Sequence, residues 1–304
     1  MTKIFCHNYV GKLLVALLLL IIIACSDDSR QSGRDKASIA AGDIQINAHY
    51  PLPEQIVQTG KLSVAVVPQF KPMAFYPEGT GELSGADPEI MLAIADRLGL
   101  AIEWFPVSFD AMLAGVASGR FDAAITGISD TPARREHMMF VDYMVETKIF
   151  LTLASNPASI SGDLDSACAH TIAVQRGTVD PEYIQIVNRV CREKGLAEAR
   201  SLEFTSSSDK KLAVQSGRVD ASFFSSIDFP ALQEESGGSF AAFVLHELPE
   251  ELWGIALGKG DELLARTLLK VTQDLIDDGT YMKILEKWDI EKLAISSAAI
   301  NAGK

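Results

Sequence analysis

Positive charge is scarce in this chain: 27 Lys and Arg face 40 Asp and Glu over 304 residues, a formal net charge of −13 with a pI near 4.8. A chain so acidic, with no clustered basic face, excludes nucleic acid as a partner, because phosphate neutralisation needs grouped cations. Histidine is scarcer still. His7, His49, His137, His170 and His246 stand apart, without the short spacing of paired zinc ligands, so no metal is expected. The chain also lacks a Gly-x-Ser-x-Gly elbow, a P-loop and a dinucleotide glycine fingerprint, which removes the common hydrolase, nucleotide and nicotinamide chemistries. Neither a cofactor nor a catalytic residue is expected. Apolar residues are plentiful at 48%, with 22% charged, enough for one or two well-buried domains.

Long apolar runs are absent except at the N-terminus. Lys3 and Lys12 flank a basic start, and Leu13 to Ala24 is too short to span a bilayer but suits the apolar region of a signal peptide. Ile22-Ile23-Ala24-Cys25 resembles a bacterial lipobox, with cleavage before Cys25 and lipidation of its sulfur; the alternative is a plain signal peptide with a coincidental cysteine. Residues 1–24 are then removed. Residues 25–49, rich in Ser, Asp, Gly and Ala, read as a flexible tether reaching about 25 to 30 Å. A lead-in helix over Pro51 to Gln58 is closed by Gly60.

The stretch Thr126-Gly127-Ile128-Ser129-Asp130-Thr131-Pro132-Ala133-Arg134 is the candidate ligand loop. It follows a helix over Phe109 to Ser118, capped at Ser108 and stopped at Gly119, and a strand over Phe121 to Ile125. Thr126, Ser129 and Thr131 offer hydroxyls, Gly127 permits close approach to the backbone, and Arg134 offers a fork that suits a carboxylate. An ordinary capped turn with a solvated arginine is the alternative. A second copy argues against it: Ala117-Ser118-Gly119-Arg120-Phe121-Asp122-Ala123 recurs as Gln215-Ser216-Gly217-Arg218-Val219-Asp220-Ala221. Two related α/β units imply two lobes, with Phe224-Ser225-Ser226-Ile227-Asp228 facing the ligand loop across a cleft.

Elsewhere strands and helices alternate, which predicts largely parallel sheets. Leu62 to Val67 is a buried strand. It is followed by a proline-bearing loop in which Phe70 is either a stacking wall or core. Asp87 caps a helix that ends at Gly99, and Asp87 and Glu89 read as helix-start charges. Strands follow at Ala101 to Phe105, Lys148 to Ala154 and Thr171 to Gln175. Arg176-Gly177-Thr178 then leads into a helix N-terminus able to favour an anion. The first crossing between lobes falls near residues 143–150, and the return at Leu248 to Trp253. The lobes are then 50–147 with 249–290, and 148–248; residues 291–304 read as a frayed tail. Cys6 leaves with the signal and Cys25 is lipidated. Cys168 and Cys191 remain, and an exported compartment favours a disulfide over two buried thiols.

The motifs Gly60-Lys61-Leu62-Ser63-Val64, Leu83-Ser84-Gly85-Ala86-Asp87, Ser118-Gly119-Arg120-Phe121-Asp122, Thr131-Pro132-Ala133-Arg134, Ala173-Val174-Gln175-Arg176-Gly177-Thr178, Ser216-Gly217-Arg218-Val219-Asp220 and Asp278-Gly279-Thr280-Tyr281 together resemble the extracellular solute-binding proteins of family 3, the polar amino-acid receptors of ABC importers. The resemblance covers about Gly60 to Trp288. It implies a two-lobed periplasmic-binding-protein type II α/β fold, each lobe a mostly parallel sheet flanked by helices, with the ligand between lobes. By the same resemblance Phe70 and Phe109 sandwich the ligand, and Thr126, Gly127 and Ser129 bind it. Arg134 clamps its carboxylate with Gln175, Gly177 and Thr178. A subgroup of the family has cysteines placed like Cys168 and Cys191.

Three positions depart from the family pattern: Val67, where a polar or acidic residue is common; Met73, where an aromatic is; and Ser225, where an aspartate takes the ligand's ammonium. Serine cannot supply that charge, so either Asp228 compensates or the ligand is a carboxylate without a free ammonium. The position of Asp228 three residues beyond the strand end predicts a place at the rim, which favours the second. The implied function is a monomeric, lipid-anchored receptor of the cell envelope that hands an amino acid or related carboxylate to an ABC permease. A cyclohexadienyl dehydratase on the same fold, using Asp130 or Asp228 as acid, is the competing reading, and a ligand sensor a third. Replacing Cys25 with Ser is expected to move the mature protein from the membrane fraction to the soluble one; a variant that stays with the membrane would make the apolar run itself the anchor.

Overall fold

A computed structural model describes residues 45–303. The expected signal peptide, Cys25 and most of the tether lie outside the described residues. In the first lobe the chain runs α1 (Glu54–Thr59), β1 (Lys61–Val66), the short hairpin β2 (Gln69–Phe70) and β3 (Ala74–Phe75), α2 (Ala86–Leu98), β4 (Ala101–Pro106), α3 (Phe109–Ala117), β5 (Ala123–Ser129), α4 (Pro132–Arg135) and β6 (Met138–Glu146). The second lobe holds β7 (Lys148–Leu153), β8 (Thr171–Gln175), α5 (Asp180–Glu193), β9 (Arg200–Phe204), α6 (Ser207–Gln215), β10 (Ala221–Ser225), α7 (Asp228–Ser236) and β11 (Phe240–Val244). The chain then returns through β12 (Glu251–Gly258), α8 (Glu262–Asp277), α9 (Thr280–Lys287) and β13 (Ala294–Ile300).

The first sheet has the order β13-β6-β12-β5-β1-β4 and the second β11-β7-β10-β8-β9. Helices cover both faces of each. Ile90, Ile94 and Leu98 of α2 pack with Leu264, Leu268 and Val271 of α8 on one face of the first sheet. Met112 and Val116 of α3 bury Phe121 and Phe140 on the other. Tyr183, Ile184 and Val187 of α5 serve one face of the second sheet, and Ala213 and Val214 of α6 the other. Apolar residues at three- and four-residue spacing thus become the buried stripes of these helices.

The internal repeat has a structural job in both lobes. Gly119 (φ 71°) and Gly217 (φ 68°) turn the chain at a helix end with a backbone that only glycine adopts without strain. The aspartate three residues on then pins the parallel neighbour of the strand that follows it: Asp122 accepts from the Ser63 N–H of β1 at 2.8 Å, and Asp220 from the Thr171 N–H of β8 at 2.8 Å. The motif therefore builds the lobes rather than touching a ligand.

Several expectations are corrected. The sheets are parallel only over β5-β1-β4 and β10-β8-β9; the remaining neighbours run antiparallel, because strands that leave or re-enter a lobe at the crossing must reverse. Sequence reading passed over β6 and β9. The helix expected to be capped by Asp87 starts two residues earlier, with Gly85 at the N-cap and Ala86 as its first residue. Asp87 itself is fully buried and accepts from the Tyr143 hydroxyl at 2.6 Å, so it is no surface charge; burial lifts its pKa to about 7. The last residues expected in the tether are docked, with the Asn47 N–H on the Leu98 carbonyl at 3.0 Å, where the end of α2 leaves an orphan acceptor. The expected frayed tail is β13, whose small residues pair with the edge of β6. It is fastened beyond its end by Ala302 N–H on Asp142 (2.9 Å) and Gly303 N–H on Asp130 (2.7 Å).

Cys168 and Cys191 are joined by a disulfide with a Cα–Cα distance of 5.6 Å, tying the strand entry at β8 to the last turns of α5 across 23 residues of sequence. A loop of that length is worth about 3 kcal/mol in the chain-entropy account. Replacing both cysteines with alanine is expected to lower the urea-unfolding free energy by about that amount; an unchanged midpoint would show that the bridge constrains nothing in the unfolded chain.

Candidate functional site

The strand β5 does not stop at Ile125 as the polar composition suggested. It continues to Ser129 because β12 pairs with it, Trp253 opposite Ser129 and Gly254 opposite Ile128, with a register shift before Ala256. The shift falls at Gly127, whose φ of 62° swings the backbone away from the ladder. A Cβ on Gly127 would meet the Trp253 ring at 2.9 Å and the Phe70 ring at 3.0 Å. Glycine is required there by shape as well as by conformation. Thr131 then caps α4, accepting from the Arg134 N–H at 3.3 Å, and Pro132 opens its first turn.

This turn aims Arg134 into the cleft between the sheets. Its guanidinium donates to the Ser129 carbonyl at 2.8 Å in its own lobe and to the Gly177 carbonyl at 2.9 Å in the other, with its carbon 5.4 Å from the Phe109 ring centroid. Burial alone pulls its pKa down, while Glu251 and Glu182 oppose that. Beneath it lies a cavity of about 490 Å³ that brings together Phe70, Phe109, Thr126, Gly127, Ser129, Arg134, Gln175, Thr178, Ser225 and Asp228. Gly177 is not on the wall but contributes its carbonyl to Arg134.

Not every expected hydroxyl is free. The Thr126 hydroxyl donates to the Val67 carbonyl (3.2 Å) and Thr178 to the Gln175 carbonyl (2.8 Å), so both brace the backbone around the cavity. The Gln175 side chain accepts from Ser207 at 2.9 Å. Phe70 stands half-buried, its ring edge-on to Trp253 at 5.6 Å, as wall rather than core. Asp130 has turned away: it holds Gly303 and lies 3.4 Å from Arg135, so it cannot act on a ligand. Asp228 is the opposite correction. Instead of sitting at the rim, its carboxylate folds back to accept from the Ser225 N–H at 3.2 Å, because it begins α7 directly behind the strand end. Burial, only partly countered by that hydrogen bond and by Lys148, raises its pKa to about 8.

Sequence reading missed the charges at the crossing. Glu251 sits opposite Glu146 in the β12–β6 ladder, and Lys148 lies 3.0 Å from Glu146 and 3.5 Å from Glu251. Glu251 also accepts from Ser129 of the first lobe and Tyr183 of the second. Burial raises Glu146 to about 7, whereas Lys148, which burial alone would lower, is held above its ordinary range by the two glutamates. In the second lobe Lys210, almost fully buried, pairs with Asp180 at 2.6 Å and donates to the Phe223 carbonyl at 2.7 Å. The signal for the first group was three charged residues set inside apolar crossing segments; Lys210, in an ordinary helix pattern, gave none.

The sequence profile of the bacterial extracellular solute-binding proteins, family 3, matches residues 62–291. The arginine-binding protein ArgT of Corynebacterium glutamicum is 27% identical over 251 residues, 82% of this chain and 81% of its own length. An ancestral arginine-binding protein solved with arginine superposes with a TM-score of 0.65 at 28% identity, covering 75% of this chain and 98% of that one. The ancestral amino-acid-binding protein AncCDT-1, a precursor of cyclohexadienyl dehydratase, superposes with a TM-score of 0.65 at 25% identity over 77% and 97% of the two chains. With two α/β lobes meeting at a cleft and a profile match that spans both sheets, this chain belongs to the bacterial extracellular solute-binding proteins, family 3.

Proposed function

We propose that the protein is the substrate-binding component of an ABC importer. It works as a monomer lipid-anchored at Cys25 and closes its two lobes, 50–147 with 249–290 and 148–248, on an amino acid. The observation that carries the reading is Arg134. A half-buried guanidinium that spans the cleft by two backbone carbonyls has planar N–H groups left for a carboxylate, and a carboxylate bound there draws both lobes together. Asp228 supports an amino acid over a simpler acid: its carboxylate occupies the strand end where Ser225 has no charge to offer an ammonium. The other acids of the cavity are spent, Asp180 on Lys210 and Asp110 on Arg176 at 3.7 Å. Nothing there is left for a side-chain guanidinium, so arginine, the ligand in the names of several relatives, is not the favoured occupant. An eliminating enzyme is disfavoured because Asp130 faces away from the cleft and the Asp228 carboxylate is engaged by the Ser225 N–H.

Arg134→Ala is expected to raise the amino-acid dissociation constant roughly 30- to several-thousandfold, the usual cost of truncating a desolvated ionic clamp. Calorimetry on a variant with an unchanged melting curve checks this, and unaltered affinity would remove the site. Asp228 generates a second expectation. Its folded pKa of about 8 lies above the ordinary carboxylate range, so in the empty protein its contribution to stability is full at acid pH and is lost as pH rises through about 8. An ammonium beside it reverses the preference. Amino-acid binding near neutral pH should therefore release a proton, read as a buffer-dependent binding enthalpy that Asp228→Asn abolishes; buffer-independent enthalpies in the native protein would place the ammonium elsewhere.

A further inference from the structure

The cavity under Arg134 does not end at Phe70. A second chamber of about 310 Å³ continues from it, the two sharing Gln69, Phe70, Ser207, Phe224 and Asp228. Its floor and outer wall come from both lobes: Lys71, Phe75 and Tyr76 from the β2–β3 hairpin, and Lys211, Leu232 and Glu235 from α6 and α7. Charge is unevenly matched there. One carboxylate, Glu235, serves two ammonium groups, Lys71 at 3.4 Å and Lys211 at 3.0 Å, and no second acid in the chamber wall pairs with either lysine. Asp228 lies at the junction, already folded onto Ser225. A ligand filling only the first cavity would leave this chamber as water beside an uncompensated cation.

We infer that the cleft takes a long amino acid carrying a second carboxylate at the far end of its side chain, its head at Arg134 and Asp228 and its distal carboxylate between Lys71 and Lys211. This rests on the amino-acid-binding function proposed above. Aliphatic carbons of the linking chain run between the Phe70 and Phe224 rings, which line both chambers. The distal carboxylate converts a two-to-one charge cluster into two ion pairs joining the lobes, so the same group that fills the chamber also favours closure. Lys71, Lys211 and Glu235 all keep solvent contact, with side-chain exposures of 45%, 26% and 41%, so the gain is that of a partly exposed pair rather than a buried one.

Matched ligands isolate the distal group. L-norleucine differs from L-α-aminopimelate, and L-lysine from L,L-diaminopimelate, by a single terminal carboxylate. Calorimetry is expected to show the dicarboxylate member of each pair binding about tenfold more tightly. A Lys71→Gln/Lys211→Gln double variant should erase that gap, leaving L-norleucine where it was and binding L-lysine at least as tightly as before, since the two like charges facing its side-chain ammonium are gone. No gap in the native protein, or a gap that persists in the variant, overturns the distal site. Equal weakening of both members of a pair also overturns it, since the lysines would then hold the lobes shut irrespective of ligand. If L-norleucine binds and depends on Arg134 while the gap is absent, the amino-acid-binding function stands and only this inference falls. If no member of either pair binds, both fall together.

Discussion

The Glu251 carboxylate holds the two lobes in register. It is reached by a hydroxyl from each, Ser129 and Tyr183, and sits beside Lys148 on the neighbouring crossing strand. A buried carboxylate without partners would be expensive; here three donors converge on it, and the network is stable only while all three stay in place. The position of Ser129 follows from that, and the aim of Arg134 from the Ser129 carbonyl that it grips. Arg134 is thus one step removed from the crossing. Glu146 adds a constraint, since two carboxylates across a ladder from one another share a single lysine. Its raised pKa means that the crossing prefers to keep a proton, and with it a near-neutral charge where its side chains are buried.

Both lobes solve their local folding problem in the same way, which is why they can be rigid around so polar a joint. A helix ends on Ser-Gly-Arg, the Ser118 or Ser216 hydroxyl bonds back to the helix (3.1 and 3.2 Å), and the following aspartate anchors the parallel neighbour of the next strand. The arginine of each copy lies over a ring, Arg120 on Phe121 at 5.1 Å and Arg218 on Phe204 at 5.4 Å. Each lobe is closed on itself before it meets the other. What remains free to differ between them is the strand end, and there the first lobe places Arg134 while the second places Asp228.

The repeat made the division into lobes legible, because a motif recurring at a helix-to-strand junction repeats a structural need. Arg134 was legible for a related reason: a threonine cap and a proline at the first helical position fix where the next residues point. The ends of the sheets were not. Thr126 to Ser129 read as loop since their side chains are polar, yet β12 supplies backbone partners that the local pattern cannot reveal. Residues Ala294 to Ile300 read as frayed for want of bulk, yet an open edge of β6 and the paired acids Asp130 and Asp142 capture them. Long-range partners decided each case, and composition carries no trace of a partner more than a hundred residues away.

Ser225 and Asp228 show how far a single-position argument from the strand end can mislead. Moving the acid three residues on, to the first turn of α7, does not move its charge three residues away, because the helix starts by folding back over the strand. What changes is the environment. An aspartate fixed at the strand end is set by the strand alone, whereas Asp228 accepts from the Ser225 N–H and feels Lys148 and Glu146 from the crossing and Lys210 from α6. Burial outweighs these helpers, so the carboxyl in the empty cleft is neutral over much of the physiological range and carries little desolvation cost. The charge then arises only when a cation arrives to use it. On the amino-acid-binding function proposed above, such an arrangement would favour a ligand that brings its own positive group over one that needs a standing negative charge to be tolerated, so that protonation as well as shape would contribute to selectivity.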